Sequence, residues 1–399
     1  MSQLCFYLPP FSSDYAGACS SLFDLEGMVI IHDGACCSRN YVGFDEPRWF
    51  GHKRPIFCSG LREVDAVLGA DDKLIEKIQK ALQTMDRPQF IAILGSPVPT
   101  VIGADLQGIA MELEDAVGIP SFGLSTTGLS YYNRGIDLTA AALVSRFTQP
   151  RTGGRPGTAN ILGLTPLDFS DNENAADLRV FLETAGWRVG CSFMMGASLE
   201  DIRDAANAEV NLVVSQSGMG LARRMWQRWR IPYVVGTPAG TDHTALAERI
   251  KRACETGVCI PMGEASLEPG GVLIVGEQVL ANTIRERLAA QYGLHGVTVG
   301  TFFGLDRDLA QPFDLDLPSE AALVELIQSG RYQVLVGDPL LQEIPSSERL
   351  DCFSISHVAV SSKLYWHDYL RFASAEMEGL LARIAQAGHK CAGETGCAV

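Results

Sequence analysis

The 399 residues amount to two or three domains of ordinary size, and a hydrophobic content of 47% gives each the material for a core. A formal net charge of −15 excludes a basic nucleic-acid-binding surface as the main function. No apolar run reaches the roughly 18 residues of a membrane span, and no export-type segment opens the chain, so a soluble cytoplasmic protein is expected.

Short runs rich in Val, Ile and Leu predict buried strands at 28–31 and 90–94, with helical spacing over 71–85 and 104–117. The Gly/Pro/Arg-rich stretch QPRTGGRPG at 149–157 then reads as a connector. Past it, strands are predicted at 160–164, 211–215 and 233–236, alternating with helices over 175–185, 218–229 and 241–255. A second connector, MGEASLEPGG at 262–271, precedes strands at 272–275, 297–302 and 333–336 and helices over 277–291 and 319–328. Such alternation implies an α/β fold of parallel sheets with helices on both faces. Three Rossmann-like units are expected, at 1–150, 151–262 and 263–399, around a central cleft. Ligands in such sheets bind outside the carboxyl ends of the strands.

Eleven cysteines are many for a chain expected to keep them as thiols, and their clustering points to metal or redox work. Cys5, Cys19, Cys36, Cys37 and Cys58 fall in the first sixty residues. Cys19 closes YAGAC, Cys36 and Cys37 end HDGACC directly after the strand at 28–31, and Cys58 sits in RPIFCSG. Thiols on loops at strand ends can converge as a thiolate-held cluster requires. The spacing is not the tight CxxC pattern, and free cysteine is also a common core residue, so spacing alone leaves both readings open. On and just past the helix at 218–229, Arg223, Arg224, Arg228 and Arg230 accompany an apolar stripe of Met219, Ala222, Trp226 and Trp229, the pattern of a packed face beside solvated charges. No GxxxxGK[ST] motif is present, so ATP is expected to bind elsewhere.

Taken in order, YAGAC, the strand at 28–31, HDGACC, LREVDAVLGADDK at 61–73, LGSPVPTVIGADLQGIA at 94–110 and IPSFGLSTTG with YYNRGIDLTAAAL between 119 and 143 resemble the first domain of the nitrogenase component 1 family. The resemblance grows fainter through the rest of the chain. It implies an iron–sulfur cluster, of 4Fe–4S type and shared between subunits, with Cys19 as first ligand and Cys37 as second. Where the family carries its third cluster cysteine this chain has Ser96, a poor ligand unless deprotonated. Cys58, or Cys36, is then expected to supply the missing sulfur.

The resemblance further implies electrons from an ATP-dependent iron–sulfur reductase, and a like or related partner subunit. In true nitrogenases a cysteine holds the iron–molybdenum cofactor where this chain has Ser215, while His357 falls in the place of a second ligand. Loss of the thiolate implies a small organic or tetrapyrrole-like substrate, the plan of light-independent protochlorophyllide reductase and the nickel-tetrapyrrole reductive cyclase. Ser215 and His357 are then the expected catalytic residues. An assembly scaffold of the same fold, holding a cluster or precursor without turnover, is the alternative.

Overall fold

The computed structural model describes residues 5–34, 39–51, 54–170, 172–262 and 270–395. Among these, the strands form three sheets, and each ladder within them is parallel. In the first, β1 (Met28–His32) and β3 (Ile91–Gly95) lie inside, with β2 (Ile56–Cys58) and β4 (Ser121–Leu124) at the edges. In the second, β5 (Arg155–Leu162) and β7 (Ala208–Val213) are flanked by β6 (Arg188–Ser192) and β8 (Tyr233–Val235). The third runs, in spatial order, β11 (Leu315–Asp316), β10 (Val297–Thr301), β9 (Val272–Val275), β12 (Val334–Gly337) and β13 (Asp351–Ser354). The fold is thus α/β, with three Rossmann-like parallel sheets. Every residue of β1, β3, β9 and β12 is buried, which is why their sequences are apolar throughout rather than alternating.

Helix ends are fixed by local chemistry. The Glu277 carboxylate accepts from the amides of Val279 at 2.9 Å and Leu280 at 2.8 Å, starting helix Gln278–Tyr292, and Gly293 ends it with φ of 66°. Helices Asp14–Leu22 and Tyr132–Phe147 cross without room for side chains. A Cβ at Gly17 would stand 2.1 Å from the Tyr132 carbonyl oxygen, and one at Gly135 would stand 1.7 Å from that of Asp14. Glycine at these positions brings the helix that carries Cys19 directly against the one that begins at Tyr132.

The apolar core does not stop at domain borders. One buried cluster joins Leu22 and Val29 to Leu162 and Met219 and on to Phe303 and Val358. A second joins Val210 to Ile274 and Leu381. An N-terminal arm adds a further tie. The amides of Phe6, Tyr7 and Leu8 donate to the Glu320 carboxylate at 2.8, 2.9 and 2.7 Å. Farther along, the Phe11 ring packs 5.1 Å from Phe302, and the Ser12 amide donates to the Ala359 carbonyl at 2.9 Å. Among the described residues no helix is long and apolar enough to cross a membrane.

Candidate functional site

Two places gather polar side chains at carboxyl ends of strands. The first is the edge of the first sheet. The register pairs Ile31 with Cys58 and His32 with Gly95, so Cys58 and Ser96 flank the residue that follows β1. That residue, Asp33, gathers them. Its carbonyl accepts from Cys58 Sγ at 3.3 Å, and its carboxylate accepts from Ser96 Oγ at 2.9 Å. Ser59 Oγ accepts the Asp33 amide at 3.0 Å and lies 2.9 Å from His32 Nδ1, while His32 Nε2 is buried with no hydrogen-bond partner. Cys36 and Cys37 lie outside the described residues.

Cys19 is fully buried on helix Asp14–Leu22, in a cluster that includes Tyr41. Burial first, and the Glu46 carboxylate second, push its thiol well up. Glu46 itself is saturated: it accepts from Tyr41 Oη at 2.9 Å, Ser20 Oγ at 3.0 Å and Arg48 Nε at 2.7 Å. Arg48 also reaches Asp24 at 3.0 Å and the Met194 carbonyl at 3.2 Å, joining the first domain to the second. Removing one member of a buried ion pair leaves the other charge uncompensated. Arg48→Met is therefore expected to cost about 3–5 kcal/mol in urea unfolding, and adding Glu46→Gln should recover part of it.

The donors around the turn fit an iron–sulfur cluster in kind but not yet in number. Among the described residues no group of three His, Cys, Asp or Glu side chains converges on one point, and Ser96 is spent on Asp33. Two thiols, Cys19 and Cys58, flank the segment that carries two more, and His32 Nε2 remains unpartnered at the same edge.

The second place lies between the three sheets. Tyr132 opens the helix that follows β4, Asp168 and Ser217 lie in short helical turns after β5 and β7, and Glu277, Asp338 and His357 follow β9, β12 and β13. Asp168 is the hub. Its Oδ1 accepts the Tyr132 hydroxyl and faces His357 Nε2 at 3.0 Å, and its Oδ2 accepts Ser217 Oγ at 3.2 Å. Asp338 accepts the His357 amide at 2.8 Å and Ser361 Oγ at 2.7 Å, which fixes the start of the short helix Val358–Ser361. Phe303 packs edge-on against both Tyr132 and His357, with ring centroids 5.1 and 5.3 Å away.

Two spaces meet this cluster. On one side Asp168, Glu277, Asp338 and His357 border a small cavity of about 40 Å³. On the other, Ser217, Gln216, Asn133, Tyr131 and Arg223 border an open groove of about 690 Å³, and Phe303 lines both. Ser215 borders neither. It is fully buried, and its hydroxyl donates to the Gly163 carbonyl at 2.6 Å. The structure therefore does not bring Ser215 and His357 to one cavity; the serine that reaches the cluster is Ser217, two residues on.

Burial, with the Asp168 charge second, pushes the Glu277 carboxyl up to about 7 from its ordinary 4.5. The folded chain thus keeps a proton that the unfolded chain has already released. Stability is expected to fall as pH rises from about 4.5 to about 7 and then level off, by up to roughly 3 kcal/mol from this group. Urea unfolding across that range should show the slope in the parent and a flatter one in Glu277→Gln.

Sequence reasoning found His357 but missed Asp168, Tyr132, Ser217, Glu277 and Asp338. A signal was present for two of them. Val275-Gly276-Glu277 and Val336-Gly337-Asp338 each set an acid two residues beyond an apolar strand run, where the chain turns out over the carboxyl end of the sheet.

The family model described as Nitrogenase component 1 type Oxidoreductase matches residues 13–256. The nitrogenase iron-molybdenum cofactor biosynthesis protein NifE of Sinorhizobium fredii is 27% identical over 233 residues, 57% of this chain and 46% of that protein. A light-independent protochlorophyllide reductase subunit from Prosthecochloris aestuarii is 33% identical over 103 residues, 26% of this chain and 19% of that one. The matched part thus spans about half the length of the NifE relative, or less. In three dimensions, the structure titled Nitrogenase Cp1 at pH 5 superposes with a TM-score of 0.69 at 14% identity, covering 98% of this chain and 91% of that one, a likeness of fold. With more than half of its residues matched by the family model, this chain belongs to the nitrogenase component 1 type oxidoreductases.

Proposed function

We propose that the chain is a subunit of a nitrogenase-like reductase that passes electrons from an ATP-dependent partner to an organic, tetrapyrrole-like substrate. The observation that carries this reading is the buried Tyr132–Asp168–His357 cluster, which Ser217 connects to the open groove. Reducing a carbon–carbon double bond takes two electrons and two protons. A partner reductase supplies the electrons, so this chain must supply a path for protons. Asp168 holds Tyr132, His357 and Ser217 in one hydrogen-bonded unit, and Ser217 sits on the groove wall where a substrate would rest. The groove, about 690 Å³ and lined by Tyr131, Phe302 and Phe303 with polar neighbours, has the size of an organic-ligand site. Ser215, with its hydroxyl committed to a carbonyl, offers no ligand to an iron–molybdenum cofactor.

Cys19, Cys37 and Cys58 would hold the iron–sulfur cluster, with Cys36 in reserve and further ligands from a second subunit. Such a cluster stores single electrons at low potential. The exposed side chains Val64, Val67, Leu68, Val98, Val101 and Ile102 follow β2 and β3 on this same edge, and they support its burial against a partner subunit.

A scaffold for cofactor assembly is the second reading, favoured by the NifE proteins, which match about half of this chain. One experiment separates them. The protein is purified anaerobically, assayed for iron and sulfide, and mixed with a nitrogenase-type reductase, ATP and protochlorophyllide as a tetrapyrrole probe. The reductase reading expects an ATP-dependent change in the cluster spectrum followed by consumption of the probe. Iron without any ATP-dependent change favours the scaffold.

A further inference from the structure

The small cavity of about 40 Å³ has a polar end and an apolar body. The polar end carries Asp168, Glu277, Asp338 and His357, and among its described lining residues there is neither lysine nor arginine. All three carboxylates are buried. Each already accepts three hydrogen bonds. Asp168 takes Tyr132, His357 and Ser217; Glu277 takes the amides of Gln216, Val279 and Leu280; Asp338 takes those of His357 and Leu340 and the Ser361 hydroxyl. An ionised carboxylate offers about four acceptor positions. One therefore remains on each.

His357 adds a further acceptor. The side chain is 7% exposed, its Nε2 is taken by Asp168, and its Nδ1 is buried without a partner. In the tautomer that directs its Nε2 proton at the Asp168 carboxylate, the ring presents a lone pair at Nδ1. Above about pH 7, where Glu277 is ionised, the polar end is thus negatively charged and rich in hydrogen-bond acceptors. What complements it is a cation that carries several N–H donors. A bare metal ion matches less well, because among the described residues no three such side chains converge to coordinate one.

The remaining wall fixes the rest of the ligand. Ile274, Leu280, Ile284, Leu341 and Ile355 are apolar, and the neighbouring rings of Phe302 and Phe303 suit a positive charge. A single water takes roughly 10–15 Å³ by the same measure, so the space holds only a few non-hydrogen atoms. We propose that this cavity is a binding site for a small protonated amine, its ammonium group among Asp168, Glu277 and His357 and its short alkyl chain against Ile274, Ile284 and Leu341. The site lies across His357 and Phe303 from the groove, and it stands independently of the cluster and of the reductase reading.

The test is calorimetric titration of the full chain with ethylammonium chloride, alongside sodium chloride and tetramethylammonium chloride at the same ionic strength. Saturable binding of ethylammonium is expected, with none for tetramethylammonium, which has no N–H and is too wide, and only a salt effect for sodium. Glu277→Gln keeps the shape and removes a charge, and should weaken ethylammonium about tenfold or more. Ile284→Phe fills the apolar end, and should weaken ethylammonium more than ammonium. Absence of saturable binding, equal response to sodium chloride, or tetramethylammonium binding as tightly as ethylammonium overturns the proposal in the parent chain alone. Unchanged affinity in Glu277→Gln overturns it as well.

Discussion

Replacing Cys37 with alanine is expected to strip most of the iron from anaerobically purified protein, while Cys36→Ala leaves most of it in place. Both thiols follow β1 in HDGACC, where Asp33 already draws Cys58 and Ser96 toward the same edge. Adjacent side chains point apart wherever a backbone is extended, which is the ground for expecting one ligand rather than two from the pair. Cys37 closes the motif at the position of the family's ligand. Thiolate is the ligand that iron prefers, and nothing in an alanine replaces it. The measurement is iron and sulfide per chain, with circular dichroism to show that each variant is folded. Equal loss in the two variants would mean that the wrong cysteine is assigned, or that both bind.

Asp168→Asn is the second change with a large expected effect: probe reduction should fall by about 10²- to 10⁴-fold with iron content unaltered. Asparagine keeps the volume but not the charge, and its amide must turn an N–H toward Tyr132, Ser217 or His357, which all direct protons at this side chain. The proton path then breaks at its hub. Electron delivery should survive, because among the described residues neither Cys19 nor Cys58 shares a hydrogen bond with Asp168. The readout is therefore paired: an ATP-dependent spectral change equal to that of the parent, and little consumption of the probe. A fall in both together would instead signal lost structure, and no fall in either would remove Asp168 from the chemistry.

The interior of each sheet was legible in the sequence, and of the edges only β8 was. Runs such as MVII at β1 and VLIV at β9 are buried on both faces, so apolar composition alone reveals them. The strands that composition did not predict are β2, β4, β6, β11 and β13, and each is a sheet edge. An edge strand has one neighbour and a partly wet face, and β6 (RVGCS) and β13 (DCFS) accordingly carry charged and small residues. The site divides in a similar way. Cysteines advertise themselves by type, and His357 by resemblance. Asp168 does not, because what matters in it is a meeting of residues 36 and 189 positions apart, Tyr132 and His357, that only the folded chain produces.

The N-terminal arm sets a sequence of events during synthesis. Its amides at Phe6, Tyr7 and Leu8 close on Glu320, separations of 314, 313 and 312 residues. Emerging from the ribosome, the first domain can complete its sheet while the arm still has nothing to hold. The seat for Leu8, among Leu273, Val275 and Phe302, exists only after the third sheet has begun to form. Residues 6–8 are therefore made well before the surface that seats them. As they do so, Phe11 comes to rest on Phe302 and Phe303, the rings that line both the groove and the cavity. Closure of the junction is in this way tied to the third sheet: a nascent or truncated product lacking Glu320 would present these aromatic walls without their cover.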